Sequence, residues 1–162
     1  MKSIMLATDG SPSAEAATRE AIDLAQHLGV PLLAVSVEHA SIPVYGYYGY
    51  GELLEEMRKI EHERVGKVLD TVQTAATEAG VECETCALEG IPPRSICETA
   101  AKQEVRLLII GAHGWGRVGR LIHGSVSTYV LHHAPVPVLV VHGEDDNVVE
   151  ELPAVPAGTT AI

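Results

Sequence analysis

The sequence predicts an α/β fold: a doubly wound, five-stranded parallel sheet with helices on both faces. Three observations lead there. Short apolar runs alternate with longer amphipathic stretches along the whole chain. The apolar runs are continuous, as in strands buried on both faces. The stretches between them carry helix start and stop signals, so each strand is followed by a helical crossover, and such units build parallel sheets.

The first strand is placed at 4–7, an apolar run that ends in Thr8-Asp9-Gly10. Ser11 suits a helix cap and Pro12 the first helical position. Ala14, Ala17, Ala21, Leu24 and Leu28 then recur at spacings of three and four, one face of a helix that Gly29 stops. Residues 32–37 form the second strand, and 41–51 (SIPVYGYYGYG) a loop. A long charged helix follows over 52–79. Its expected apolar face is Leu54, Met57, Ile60, Val65, Val68, Val72, Ala75 and Ala79, and its charges read as a mostly solvated face.

Residues 81–88 make a weaker third strand. Pro92-Pro93 opens a third helix to about residue 103, and RLLII at 106–110 is the fourth strand. A Gly-rich loop spans 111–124. A fourth helix covers 125–133 and stops before Pro135, and 138–141 is the fifth strand. Residues 1–142 form one domain. The segment 143–162, acidic and then rich in Pro and Ala, lacks periodicity and is expected to be a mobile tail.

Composition narrows the function. At 162 residues the chain fits one domain, and 46% hydrophobic residues suffice for a sizeable core. With no Phe and a single Trp, Trp115, that core must be aliphatic. The net charge of −11 repels nucleic acid and anionic membranes. It leaves room for a small anion held by backbone amides. Three cysteines argue against a secreted disulfide framework, and no run is long enough for a signal peptide core or a membrane span. The expectation is a soluble, cytoplasmic protein.

In open α/β sheets ligands bind beyond the carboxyl ends of the strands, where the winding reverses. Two such ends stand out here: Thr8-Asp9-Gly10, and the run from Gly111-Ala112-His113-Gly114 to Gly124-Ser125-Val126-Ser127. Glycines let phosphate oxygens approach the backbone, and a helix start offers N–H groups and the positive end of its dipole. Ser125 and Ser127 add hydroxyls, and Arg117 and Arg120 lie in reach of outer phosphates. Asp9 repels phosphate, so either a Mg²⁺ ion at Asp9 reconciles them or Asp9 faces ribose hydroxyls.

Gly111-x₂-Gly114-x₉-Gly124-Ser125 matches the G-x₂-G-x₉-G-[S/T] signature of ATP-binding universal stress proteins, and the chain resembles that family over about 1–142. RLLIIGAHG and LIHGSVSTYVLHHAPVPVLVV resemble its last strand-loop-helix-strand, and IMLATDGSPSAEAA its first strand and turn. The resemblance implies the adenine nucleotide alpha hydrolase-like fold with strand order 3-2-1-4-5, a site for ATP, ADP or AMP, and a homodimer. It implies that Ala7 and Asp9 flank base and ribose and that Val35 packs on the base. Ile110, Gly111 and Gly114 then line ribose and phosphates, and Gly124, Ser125, Val126 and Ser127 hold the phosphates. The loop at 41–51 and the tail depart from the family pattern.

Other motifs weigh less. Gly114-Trp115-Gly116-Arg117-Val118-Gly119 fits G-x-G-x-x-G, but it follows the fourth strand and lacks an acidic residue ~20 positions on. The P-loop pattern is absent, so fast P-loop hydrolysis is not expected. Cys83-Glu84-Thr85-Cys86 falls in a strand, where a redox pair gets no help from a helix dipole, and reads as structural thiols. His132 and His133 suit the end of a helix, His39 reads as structural or exposed and not a metal ligand, and His113 in the binding loop either touches phosphate or is an ordinary loop histidine. The loop with Tyr45, Tyr47, Tyr48 and Tyr50 is either a lid or partner surface or a plain spanning loop. Strand five lies at an edge, which invites pairing between two copies.

The leading reading is a regulatory nucleotide-binding protein of stress physiology with at most slow hydrolysis and no catalytic residue to name. The alternatives are a nucleotide-free scaffold for a protein partner and a Mg²⁺-dependent phosphoryl or nucleotidyl transferase.

Overall fold

The structure is a computed structural model that describes residues 2–39, 51–112 and 124–143. Their elements alternate strictly: β1 (Ser3–Ala7), α1 (Pro12–Leu28), β2 (Leu32–His39), α2 (Gly51–Glu78), β3 (Cys83–Gly90), α3 (Pro92–Lys102), β4 (Val105–Gly111), α4 (Ser125–His133) and β5 (Val138–Val141). The five strands form one sheet in the order β3-β2-β1-β4-β5, and every pairing is parallel. Fold class and strand order therefore agree with the sequence reading. The strand bounds move by at most two residues: ladder bonds extend past the apolar runs at β1, β2 and β4, β3 lies two residues further along, and β5 is unchanged.

The signals read around α1 act as expected. Ser11 caps it, its hydroxyl accepting from the Ala14 N–H at 3.4 Å, and Pro12 follows at the first position. Gly29 ends it at φ 62°, and the Val30 N–H reaches back to the Ala25 carbonyl.

Successive strand residues point to opposite faces, which splits the core in two. On one face Ile4, Leu6, Leu32, Ala34 and Ile109 meet Ala17, Ala21 and Ala25 of α1 and Val65, Leu69, Val72 and Ala76 of α2. On the other, Met5, Ala7, Leu33, Val35, Leu108 and Ile110 meet Ile96 and Ala100 of α3 and Val130 of α4. The central strand β1 is sealed on both sides, with Ile4, Met5 and Leu6 wholly inaccessible.

One expectation needs correction. The apolar face of α2 does not run its whole length: Met57 and Ile60 are exposed at 51% and 61%, and the buried line begins at Val65. The reason is length. A 28-residue helix spans about 42 Å, whereas the eight-residue strand β2 beneath it spans about 26 Å. The first turns of α2 overhang the carboxyl edge of the sheet. The C-x-x-C agrees with the reading as structural thiols: the pleat divides it, Cys83 packing against the first core and Cys86 against the second, and both thiols are free. Burial pushes the Cys83 thiol up from its ordinary pKa, which keeps it protonated.

Ile109→Ala, in the sealed centre of the sheet, is expected to cost about 2–5 kcal/mol. Ile60→Ala on the overhang should stay within about 0.5 kcal/mol. Urea midpoints at constant m-value check both.

Candidate functional site

The winding reverses between β1 and β4. From β1 the chain leaves to the face of α1, and from β4 it passes toward the face of α4. A cleft of about 370 Å³ opens over that point. Its floor is aliphatic: Ala7 of β1, Val35 and Val37 of β2 and Ile110 of β4, with Pro92 and Ile96 of α3 at the side.

One wall is the start of α4. Gly124 is its N-cap, no side chain caps it, and no acidic residue sits in its first turn. Thr128 is the first residue whose N–H bonds back to the Gly124 carbonyl, so the N–H groups of Ser125, Val126 and Ser127 have no carbonyl within the helix to bond. All three residues and Gly124 line the cleft. An anion here meets backbone donors and the positive dipole end.

Ser127 has a different job from a simple phosphate donor. It is 2% exposed, and its hydroxyl lies 2.8 Å from the Ala112 carbonyl and 2.9 Å from that of Gly124. The Gly124 N–H also donates to Ala112, at 2.7 Å, and the Ala112 N–H donates to Val141 on β5. Ala112 thus ties the start of α4 to the ends of β4 and β5. The Ser127 hydroxyl proton is spent on carbonyls, which leaves its backbone N–H for a ligand.

Gly111 lines the cleft as well, yet its missing side chain answers to packing. A Cβ there would lie 2.8 Å from the Ala14 nitrogen and from the Ser13 carbonyl carbon. These are backbone atoms of α1 and cannot swing aside.

The opposite wall comes from β1 and the overhang of α2. Asp9 follows β1, and its carboxylate accepts the Ser11 N–H at 3.0 Å, which shapes the turn into α1. Gly10, at φ 75°, lies so close under α2 that a Cβ would come 2.8 Å from Val68. Arg64 of α2 donates from Nη1 to the Asp9 carbonyl at 3.2 Å, and from Nε and Nη2 to Glu61 at 2.9 Å each. The Glu61 hydrogen bond raises the guanidinium's already high pKa, outweighing its partial burial, and the Glu61 and Asp9 charges add to it. His62 joins the same overhang to β2 through a 2.6 Å contact with Glu38.

The structure therefore gathers Ala7, Asp9, Val35, Ile110, Gly111, Gly124, Ser125, Val126 and Ser127 around one cleft. Gly114, Arg117, Arg120 and His113 lie outside the described residues, as do the tyrosine loop and 144–162. Sequence reasoning missed Val37, Pro92 and Ile96, and above all Glu61 and Arg64, which were grouped with the solvated charges of α2. An i, i+3 acid–base pair is common on helix surfaces and carries no signal of a site. Only the overhang turns this one inward.

Gly111→Ala is expected to lower stability by about 1–3 kcal/mol, because α1 must back away from β4. Thermal melts with and without nucleotide check it: the loss should persist without ligand, which separates packing from binding.

A family model described as the universal stress protein family matches residues 1–142. Universal stress protein MJ0531 of Methanocaldococcus jannaschii is 35% identical over 142 residues, covering 86% of this chain and 81% of that protein. A universal stress protein of Thermus aquaticus, from the QAH/OAS sulfhydrylase 3′ region, is 37% identical over 140 residues, covering 86% and 98%. Among solved structures, universal stress protein UspA from Lactobacillus plantarum superposes with a TM-score of 0.78 at 28% identity, covering 86% of this chain and 97% of that one. More distant neighbours share the fold. A universal stress protein in complex with cAMP has a TM-score of 0.67 at 23% identity, covering 88% and 97%. A family protein of Arabidopsis thaliana with AMP bound has 0.68 at 20% identity, covering 93% and 97%. A 3-2-1-4-5 parallel sheet, a match across all five strands and relatives above 30% identity lead to one conclusion: this chain belongs to the universal stress protein family.

Proposed function

We propose that this chain binds an adenine nucleotide (ATP, ADP or AMP) in the cleft over β1 and β4, and that binding alters its conformation or its affinity for a partner during stress. The observation that carries the reading is the uncapped start of α4 at Gly124, which opens into a cleft floored by aliphatic side chains. Amides and dipole suit phosphate, and a flat apolar floor suits a base. Structural neighbours that hold AMP and cAMP support it. In this reading Arg117, Gly114 and the intervening loop complete the phosphate side. Homodimers form through the β5 edge in the cytoplasm, and a protein partner reads the nucleotide state.

The donor set does not fit a Mg²⁺ ion held by Asp9. A fixed guanidinium bonds to the Asp9 carbonyl, and the carboxylate already takes the Ser11 N–H. Among the described residues no three His, Cys, Asp or Glu side chains cluster for a metal. No step is therefore routed through the ion. Hydrolysis, where it occurs, should be slow: the Asp9 carboxylate takes the Ser11 N–H, and Glu61 and Arg64 are engaged with each other.

Gly124→Val is expected to weaken ATP and AMP binding by tenfold or more in equilibrium dialysis, because its side chain enters the phosphate path. Mass spectrometry of ligand released from purified protein should find an adenine nucleotide. No release, no thermal shift with ATP or AMP and no effect of Gly124→Val together would reject nucleotide binding and favour the scaffold reading. Sedimentation velocity is expected to give a dimer at micromolar concentration. A monomer there removes the β5 contact.

A further inference from the structure

The cleft is chemically graded in the order of its strands. Over β2 lie Val35 and Val37, a flat apolar surface. At the end of β1 lies Asp9, and Glu61 of α2, which packs over β2 and β3, is joined to its carbonyl through one guanidinium. Beyond β4 come the amides at the start of α4. β1 sits between β2 and β4 in the sheet, so Asp9 stands between the apolar floor and the anion-binding wall, with Glu61 held beside it by Arg64. Two carboxylates face one arginine among the described lining residues, which leaves this middle zone net negative.

We propose that Glu61, oriented by Arg64, is a specificity-determining residue that accepts the ribose hydroxyls and selects adenosine 5′-phosphates with a free 2′,3′-diol over 3′,5′-cyclic nucleotides. This rests on the nucleotide-binding reading above. A base on Val35 and a phosphate on α4 leave the sugar over β1, within the acidic zone. A free diol gives that zone two donors, and hydrogen bonds to charged acceptors are the stronger kind. A cyclic phosphate replaces the 3′ donor with an ester oxygen and brings its negative charge beside Glu61 and Asp9. Bulk charge works the other way: a protein of net charge −11 repels the dianion AMP more than the monoanion cAMP. A preference for AMP must therefore arise locally.

Arg64 supplies the orientation. Both Glu61 oxygens are gripped by the guanidinium fork, and the third contact fixes that fork to the Asp9 turn. Glu61 side-chain exposure is 20%, so the carboxylate is held at the cleft wall rather than swinging in solvent. Lysine carries the charge but not the fork.

The test is isothermal titration of the full chain with AMP, 2′-deoxy-AMP and cAMP. The expected result is AMP tightest, with 2′-deoxy-AMP and cAMP each weaker by about tenfold. Glu61→Gln should close the AMP-to-cAMP gap to within about threefold, chiefly by improving cAMP. Arg64→Lys should narrow the gap without abolishing AMP binding. Equal AMP and cAMP affinities in the unmodified chain, or an unchanged ratio in Glu61→Gln, would overturn the inference while leaving nucleotide binding intact. Failure of all three ligands to bind would instead reject the function on which it rests. The ranking on the unmodified chain decides even where a variant fails to fold.

Discussion

The functional end of this molecule depends on α1 lying against the end of β4 with no side chain between them. Gly111 permits that contact, since any Cβ would strike the backbone of Ser13 and Ala14. The contact sets where α1 begins, and with it the Asp9–Ser11 turn and the Ser11 cap. Because β1 and β4 are neighbours whose helices leave to opposite faces, the same place is the gap between them. Packing and site share one backbone geometry. A residue that looks reserved for ligand approach is held first by the fold.

The second determinant is the mismatch in length between α2 and β2. The overhang costs burial, since Met57 and Ile60 meet no core. In return it carries Glu61 and Arg64 above the edge of the sheet, where Arg64 and Val68 clamp the turn at Asp9 and Gly10. A helix of matched length would leave the cleft open on that side. The two walls then differ in kind: backbone donors at α4, charged side chains at α2. A ligand with one anionic end and one hydroxyl-bearing middle fits this polarity in a single direction.

Much of the fold was legible in local signals. Ser11-Pro12 and Gly29 mark the ends of α1, because capping and left-handed backbone geometry are local demands. The runs at 4–7 and 106–110 read as buried strands, because only a strand covered on both faces is apolar without alternation. Gly124 before the serines of α4 marked a helix start with no side-chain cap for the same reason: the signal is in the backbone and its immediate neighbours. The inner and outer parts of α2 were not separable, because Met57 and Val72 share one apolar stripe whether or not a sheet lies beneath them.

By itself, then, the sequence determined the alternation of strand and helix, the aliphatic two-sided core and the start of α4 after Gly124. Each follows from residue type and spacing over a few positions. Only the tertiary structure decided that Ser127 spends its hydroxyl on Ala112, that Gly111 serves α1, and that Arg64, holding Glu61, reaches Asp9 across 55 positions of chain. Those outcomes depend on which surfaces the crossovers bring together, and distances between segments far apart in the chain are not written in either segment.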